Sequence, residues 1–503
     1  MDMAVESESD GPWELPERWA WTPLGLVAPV NPSTSFNDLG PSTDIPFIPM
    51  AAVAEETGKI DLSARRPLHE VSKGYVRFME GDVIFAKITP CMENGKVAPV
   101  VGLPGRYAAG STEFHVFRPA AVDQRFLWYW LVGRAFRGKA KRNMSGSAGQ
   151  LRVPVDYLRE SDFPLAPLTE QRRIVARVDA LFAEIAEGEA ALDAARKGLD
   201  TFRRALLKAA VTGELTKDWR ENNPVTETGY DLLARIIAER AAKGQAKGRG
   251  KRAADAPPLD TAALPDLPEG WAWGTVDELL EFVTSGSRGW KDYYADAGAI
   301  FVRAQNINSG TLDLSDVAYV ALPSNAEGLR TRLKVGDVLV TITGANVTVS
   351  ALVSHEIPEA YVNQHVALLR PLKIDVSDYL LLWLQAEGAG KTQLTKAAYG
   401  AGKPGLNLDN IREVFIAIPP PAEAAEILRR VSEALAASTD TLATLDAEAA
   451  DAARLKQSIL KSAFEGRLVP QDPTDEPASA MLARLKATPS IAGPAKRGRR
   501  AKS

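Results

Sequence analysis

The chain repeats itself, and that duplication constrains its fold more tightly than any local motif. Residues 15 to 21 read LPERWAW and residues 267 to 273 read LPEGWAW, which sets Leu15 against Leu267 at an offset of 252. The offset hardly drifts: Val153 to Leu215 runs against Leu406 to Leu468 at a constant 253 with no gap. Along this stretch Asp156, Arg159, Glu160, Pro167, Glu170 and Val178 fall on Asp409, Arg412, Glu413, Pro420, Glu423 and Val431. Further on, Leu192, Asp193, Leu207, Lys208, Gly213 and Leu215 fall on Leu445, Asp446, Leu460, Lys461, Gly466 and Leu468. Two copies of one module imply an internal pseudo-two-fold, and with it a partner that offers two similar halves.

At 503 residues the length alone would allow about three to four domains, but the repeat argues for two large modules. The one cysteine, Cys91, excludes an intramolecular disulfide and a Cys-rich metal site; it fits a reducing cytoplasm and reads as a loop or core thiol. No stretch is apolar for the 18 or so residues a membrane span needs, and the N-terminus is acidic (Asp2, Glu6, Glu8, Asp10, Glu14, Glu17) where a signal peptide would be basic. The expectation is a cytoplasmic protein. A net charge of −4 taken alone argues against a nucleic-acid binder, but its distribution reverses that. Between Arg134 and Arg152 lie six basic residues and no acid, interleaved with Asn143, Ser145, Ser147 and Gln150, which can bond phosphates or base edges. Two further basic runs, Lys243 to Arg252 and Lys496 to Lys502, are Gly- or Ala-spaced and read as arms that either touch DNA or aid solubility.

Each copy divides in the same way. Short β-type runs come first: PFIPMAAV, GDVIFAKIT and FHVFRP in one copy, AIFVRAQNI, GDVLVTIT and QHVALLRP in the other. His115 and His365 sit at matching points and read as packed residues. The aromatic helices FLWYWL from Phe126 and YLLLWL from Tyr379 read as core. After Pro167 and Pro420 the period changes from 2 to 3.5. With Ile174, Leu181, Gly188, Ala195 and Phe202 at position a, position d is held by Val178, Ile185, Leu192, Leu199 and Leu206, giving five heptads with every d apolar. Such a seam needs a facing helix, and Val431, Leu435, Leu442, Leu445, Leu455 and Ile459 supply it. A helix from Thr169 to Thr212 would span roughly 65 Å.

The expected fold class is therefore α+β: two β-rich globular domains, each followed by a long α-helix, the two helices forming an antiparallel coiled coil with pseudo-two-fold symmetry. The expected segments are an acidic tail over 1–14, a globular domain over 15–166, a helical spacer region over 167–243, a basic Pro/Ala linker over 244–266, a second globular domain over 267–419, a second spacer region over 420–487 and a basic tail over 488–503.

The phrase FPLAPLTEQRRIVARVDALF from Phe163, a heptad helix and LLKAAVTGELT from Leu206, echoed by IAIPPPAEAAEILRRV and ILKSAFEGRLV, resembles the specificity subunit of type I restriction-modification enzymes. The resemblance covers nearly the whole chain. The second copy departs from it at Glu423-Ala424, where the first has Glu170-Gln171, so the two junctions need not make the same polar contacts. The resemblance implies a non-catalytic recognition subunit. Each globular domain would be a target-recognition domain reading one half of a bipartite, asymmetric site in double-stranded DNA. The helices would set the spacing and dock two DNA adenine methyltransferase subunits, which restriction/translocase subunits would join. No cofactor is expected in this chain; S-adenosylmethionine, ATP and Mg would belong to the partners.

The residues agree with that division of labour. There is no Asp-Pro-Pro-Tyr or Asn-Pro-Pro-Tyr run to hold a flipped base. EGAGKT from Glu387 resembles a phosphate-binding loop, but the position of its first glycine is Gln385. Gly388 to Gly405 reads instead as the counterpart of the polar loop of the first copy. Candidate DNA contacts are Lys87, Thr89, Glu93, Asn94 and Lys96, then Arg137, Lys139, Lys141, Arg142, Asn143, Ser145, Ser147 and Gln150. The second copy offers Arg288, Trp290, Lys291, Arg303, Gln305, Asn306, Thr343 and Asn346, then Lys391, Lys396 and Lys403. Asn and Gln can pair with adenine N6 and N7, and Arg or Lys with guanine O6 and N7. The alternatives are a duplicated coiled-coil scaffold for protein partners, or a phosphate-loop ATPase built on Gly388 to Thr392.

Overall fold

The computed structural model describes residues 11–147, 149–242, 264–286, 289–323, 328–400 and 404–487. Arg288, Lys403 and both basic arms lie outside the described residues. The chain forms two compact units, residues 1–192 with 446–503, and residues 193–445. Each unit combines one globular stretch with part of each long helix.

In the first unit a four-stranded sheet has the order Arg65–Pro67, Asp44–Ile48, Tyr107–Gly110, Val76–Met79. A three-stranded sheet runs Val97–Pro99, Val83–Ala86, Phe114–Phe117. The second unit has a six-stranded sheet in which Val338–Thr341 lies between Val366–Pro371 and Ser350–Leu352, and a four-stranded sheet built around Ala299–Val302. In both units the repeated Trp-Ala-Trp phrase closes the domain. Ala20–Pro23 pairs antiparallel with Asp162–Leu165, and Ala272–Thr275 with Phe415–Ile418. The strand entering each domain is thus bonded to the strand that leaves it for the helix, which fixes the domain at the foot of the rod.

The repeated Gly-Asp-Val is a structural device. Gly81 and Gly336 have φ of +91° and +88°, the left-handed region that glycine enters without steric cost. The aspartate that follows turns back on its own loop, Asp82 accepting from Met79 N at 2.9 Å and Asp337 from Lys334 N at 2.7 Å. Each is buried and held by a two-pronged arginine, Arg118 on Asp82 at 2.8 Å and Arg370 on Asp337 at 2.7 Å. A buried carboxylate needs such a partner.

The long helices are Leu168–Val211 and Pro421–Phe464, 44 residues each. Glycine ends both: Gly213 and Gly466 have φ of +75° and +69°, and the bonds Leu215 N to Ala209 O and Arg467 N to Ser462 O close the last turn. That is the physical content of the repeated Gly-x-Leu. Within the first unit Arg173 pairs with Asp475 and Glu189 with Lys456, both ending within 2.7 Å. Within the second, Arg196 reaches Leu445 O and Arg430 pairs with Asp218. In both, one number rises as the other falls, so the helices run antiparallel.

Apolar side chains at the helix ends enter the globular cores. Ile174, Val178, Ile459 and Phe464 pack with Phe126, Trp130 and Phe163; Leu206, Val211, Ile427 and Val431 pack with Trp271, Tyr379 and Trp383. Phe464 lies 4.9 Å from Phe126 and 5.0 Å from Trp130 between ring centres. Burying a side chain of this size stabilises by about 1.5–3 kcal/mol. The expected d row holds, with Val178, Ile185, Leu192, Leu199 and Leu206 buried or half-buried, and Leu181, Leu435 and Leu445 are half-buried too. Five expected seam positions are corrected: Gly188 and Ala195 are exposed, and Phe202, Leu442 and Leu455 are 46%, 39% and 51% exposed. An α-helix drifts about 20° per heptad against a 3.5-residue repeat, so the outer row turns to solvent while Ala449, Ala452 and Ala453 take inward places.

Candidate nucleic-acid interface

The polar stretch after the aromatic helix of the first copy is a helix followed by a bridged turn, not one loop. Gly133 breaks the chain direction, and Arg134–Arg142 forms an amphipathic helix that buries Phe136, Arg137 and Ala140. Its outer face carries Arg134, Lys139, Lys141 and Arg142. Of these Lys141 pairs with Glu93 at 2.7 Å, while Lys139 and Arg142 have no ion pair among the described residues. The chain then doubles back, with Ser145 and Arg152 exchanging backbone bonds at 3.0 and 2.9 Å. This turn is bonded to the loop after Val83–Ala86: Thr89 N donates to Leu151 O at 3.0 Å, Leu151 N to Thr89 Oγ1 at 3.2 Å, and Val153 N to Lys87 O at 2.9 Å. Arg152 and Glu113 brace it through two bonds of 2.9 Å, and Arg152 holds the Glu113 carboxyl below its ordinary pKa. Lys87, Thr89 and the exposed Asn143, Ser145, Ser147 and Gln150 therefore belong to one surface.

The second copy builds the same surface with other residues. Gly390–Ala397 is a helix where the sequence suggested a loop. Tyr399 and Gly405 exchange backbone bonds at 3.0 and 2.9 Å, Gly344 N donates to Pro404 O at 3.0 Å, and Leu406 N to Ile342 O at 2.9 Å. Thr343 and the exposed Asn346 are thereby joined to the helix that carries Lys391 and Lys396. Lys391 lies 3.5 Å from Glu387. Glu387 to Thr392 is entered from the helix Ser377–Gln385 rather than from a strand, so it lacks the strand–loop–helix frame of a phosphate-binding loop.

Several expected contacts are engaged inside their own domain. Arg137 is buried, donates to Val132 O and Glu93 O, and pairs with Glu56. Lys96 bonds the carbonyls of Met50 and Val53 at 3.3 and 3.1 Å. Asn306 is buried and bonds Arg303 N, Asp313 O and Asp316 O. Arg303 and Gln305 turn onto Asp316, and Asn94 onto Glu55 at 2.9 Å. Lys291 is exposed beside Trp290, which is buried and stacks on Phe301. Burial also holds the His115 imidazole below its ordinary pKa, with Nε2 2.9 Å from Val153 O, as expected of a packed histidine.

One surface residue was missed from sequence: Tyr399, 62% exposed at the mouth of the second turn, an aromatic face on which a base can stack. Its place between a lysine-bearing helix and Gly400 was the available signal. Among the described residues no acidic, His or Cys cluster could hold a metal, and no helix is long and apolar enough to cross a membrane.

Residues 16–192 and 268–449 match the family described as type I restriction modification DNA specificity domain. The chain is 27% identical over 428 residues to the type I restriction enzyme EcoAI specificity subunit of Escherichia coli, covering 76% of this chain and 71% of the relative. It is 26% identical over 481 residues to the EcoEI specificity subunit, covering 85% and 79%. Among solved structures, a chain of a type I restriction-modification system studied for its complex assembly and conformational transition superposes with a TM-score of 0.65, at 21% identity, over 91% of this chain and all of its own. The HsdS subunit from Thermoanaerobacter tengcongensis gives a TM-score of 0.51 at 22% identity, over 92% of this chain and all of its own.

Proposed function

We propose, for a chain that belongs to the family of type I restriction-modification DNA specificity domains, the role of specificity subunit. In this role it reads a bipartite, asymmetric DNA target and directs adenine methylation and restriction by partner subunits in the cytoplasm. One observation carries the reading. Each unit sews a cation-bearing helix and its bridged turn to the loop after the Gly-Asp-Val strand, and the exposed side chains on that common frame differ. Lys139, Arg142, Asn143 and Gln150 stand on one surface, and Asn346, Lys396 and Tyr399 on the other. Lysine and arginine neutralise phosphates or meet guanine, and asparagine and glutamine can pair with adenine. Two different readers on one frame suit two different half-sites.

This chain acts by binding and orientation. Two methyltransferase subunits would bring S-adenosylmethionine, and restriction/translocase subunits ATP and Mg. With a net charge of −4 and few free cations per surface, the purified chain neutralises few phosphates, so its affinity alone is expected to be weak at physiological salt. Tight site-specific binding without methyltransferase would contradict this.

The decisive experiment exchanges residues 267–405 for the matching segment of a relative and maps methylated adenines in cells carrying the system. One half of the target should change and the other persist. A shift at both halves would sink the two-reader assignment.

A further inference from the structure

A cavity of about 330 Å³ in the first unit is lined by the helix Arg134–Arg142, by the strand Asp162–Leu165 at its first residue, and by Trp13, Trp130 and Tyr157. The indole nitrogens of Trp13 and Trp130 are buried with no hydrogen-bond partner, and Trp130 as a whole is only 8% exposed. Two cations also line the space, Lys139 and Arg142, one helical turn apart and without an ion pair among the described residues.

The repeat shows what this place normally holds. In the second copy, 253 residues on, the Trp383 indole donates to Phe415 O at 2.8 Å. Gln393 fills the remaining room there, bonding both the carbonyl and the amide of Phe415 at 2.8 Å. In the first copy the helix position that answers Gln393 is Lys139, the buried Ala140 and Leu394 being the matching inward residues, and Asp162 stands in place of Phe415. The amide that closes the second site is gone, the Trp130 indole does not bond the Asp162 carbonyl as Trp383 bonds that of Phe415, and charge has been added at the rim. An unpaired buried donor in a folded protein calls for an acceptor from elsewhere.

We propose that this cavity binds one nucleotide unit, a nucleobase ring with its phosphate. The partly exposed rings of Trp13 and Tyr157 offer faces for a flat ring. The two free N–H groups would meet ring nitrogen or carbonyl acceptors, and the carboxylates of Glu160 and Asp162, which also line the space, would accept from an exocyclic amine. Lys139 and Arg142 would hold the phosphate. The volume falls within the range of small-molecule pockets, about 300–1,000 Å³. The nucleotide has two possible sources, an unstacked residue of bound DNA or a free mononucleotide; the first rests on the DNA-reading role proposed above, and the second does not.

The test uses the full chain with its methyltransferase partner. AMP is titrated by calorimetry, and a short duplex carrying one bulged adenine is compared by competition with the same duplex fully paired. Binding of AMP identifies the free source; preference for the bulge identifies the DNA source. In either case Trp130→Phe, which keeps the ring and removes the donor, should weaken the interaction about fivefold, Arg142→Ala should weaken it as well, and Trp383→Phe should not. If Trp130→Phe fails to fold, Arg142→Ala decides. Absence of both AMP binding and bulge preference overturns the proposal, as does binding indifferent to the Trp130 and Arg142 variants. A complex that binds the paired duplex with neither bulge preference nor AMP binding leaves the DNA role standing and removes only the pocket. A complex that binds no duplex removes the DNA role, and the AMP titration then decides the pocket alone.

Discussion

At the start of the first long helix Glu170 is buried and accepts from a neutral amide, Gln471 Nε2, at 2.6 Å. At the start of the second, Glu423 is fully buried and accepts from Arg220 at 2.8 Å, Thr216 Oγ1 at 2.7 Å and Trp271 Nε1 at 2.9 Å. The repeat places both glutamates at the same point, but it sets Arg220 opposite Pro473 and Asp218 opposite Gln471. In the first unit the nearby cation, Arg173, is taken by Asp475 at 2.6 Å, and burial holds the Glu170 carboxyl above its ordinary pKa. Duplication has kept the buried acceptor and the tryptophan beside it, Trp19 and Trp271, while the remaining donors differ. One junction carries a paired charge; the other carries a carboxyl that can relieve its burial by taking a proton.

Arg220→Ala tests the first half of that contrast and should have the largest effect. It strips the cation from a fully buried carboxylate, an uncompensated charge that costs about 3–5 kcal/mol. Denaturant unfolding followed by hydrogen exchange in the second unit would measure it; a loss under about 1 kcal/mol would mean that Thr216 and Trp271 suffice. The corresponding change at the other junction, Gln471→Ala, should cost less, about 1–3 kcal/mol, because Glu170 can protonate in response. Equal losses at the two junctions would erase the distinction.

The interfaces of the two copies are compared through salt. Lys139→Ala and Lys396→Ala should each lower the affinity of the assembled complex for its target. If the residue contacts a phosphate, each should also reduce the slope of log affinity against log salt by about 0.9. An unchanged slope for Lys139→Ala would place that residue off the DNA backbone.

The smallest effect expected is at Glu170→Gln. A carboxyl whose folded pKa is raised stabilises the fold below its unfolded pKa, and that contribution is lost as pH rises through the folded value. At pH 7 the amide should therefore be neutral or mildly stabilising, and the variant should lose the decline that the parent shows as pH rises above the ordinary glutamate range. Asp475, held below its ordinary pKa by Arg173, works in the opposite sense, its contribution vanishing as pH falls. The readout is first-unit stability against pH for parent and variant. A Glu170→Gln variant markedly less stable at pH 7 would show that the charged form is the one the junction needs.

The first rod was legible in sequence to within a residue, expected over Thr169 to Thr212 and found as Leu168–Val211, because a 3.5-residue period over five heptads and a terminal glycine are local signals. The aromatic helices as core, and the second copy's echo of the first, were legible for the same reason. The change from Gln171 to Ala424 marked the junctions as different, and they are: Gln171 accepts from Asp123 N at 2.7 Å and donates to Ala166 O at 2.8 Å, contacts that alanine cannot make. The candidate surface was only half legible. Composition found the stretch from Arg134 to Gln150 but could not tell Lys139, facing solvent, from Arg137, folded inward onto Glu56 two residues away, and it passed over Tyr399.

The sequence by itself determined the duplication, the α+β order of each module, the long helices and their ends, and the family. All but the family, which rests on resemblance, follow from periodicity and from residues whose backbone preferences act within a few positions. The tertiary structure alone decided which outer heptad positions turn to solvent, which donors reach each buried glutamate, and which polar side chains stay on the surface. It also decided that one copy closes its tryptophan site with Gln393 while the other leaves a cavity. Each of these depends on pairs far apart in the chain, Arg137 with Glu56 or Arg220 with Glu423, and a side chain's partner is set by where packing carries it, which no local pattern records.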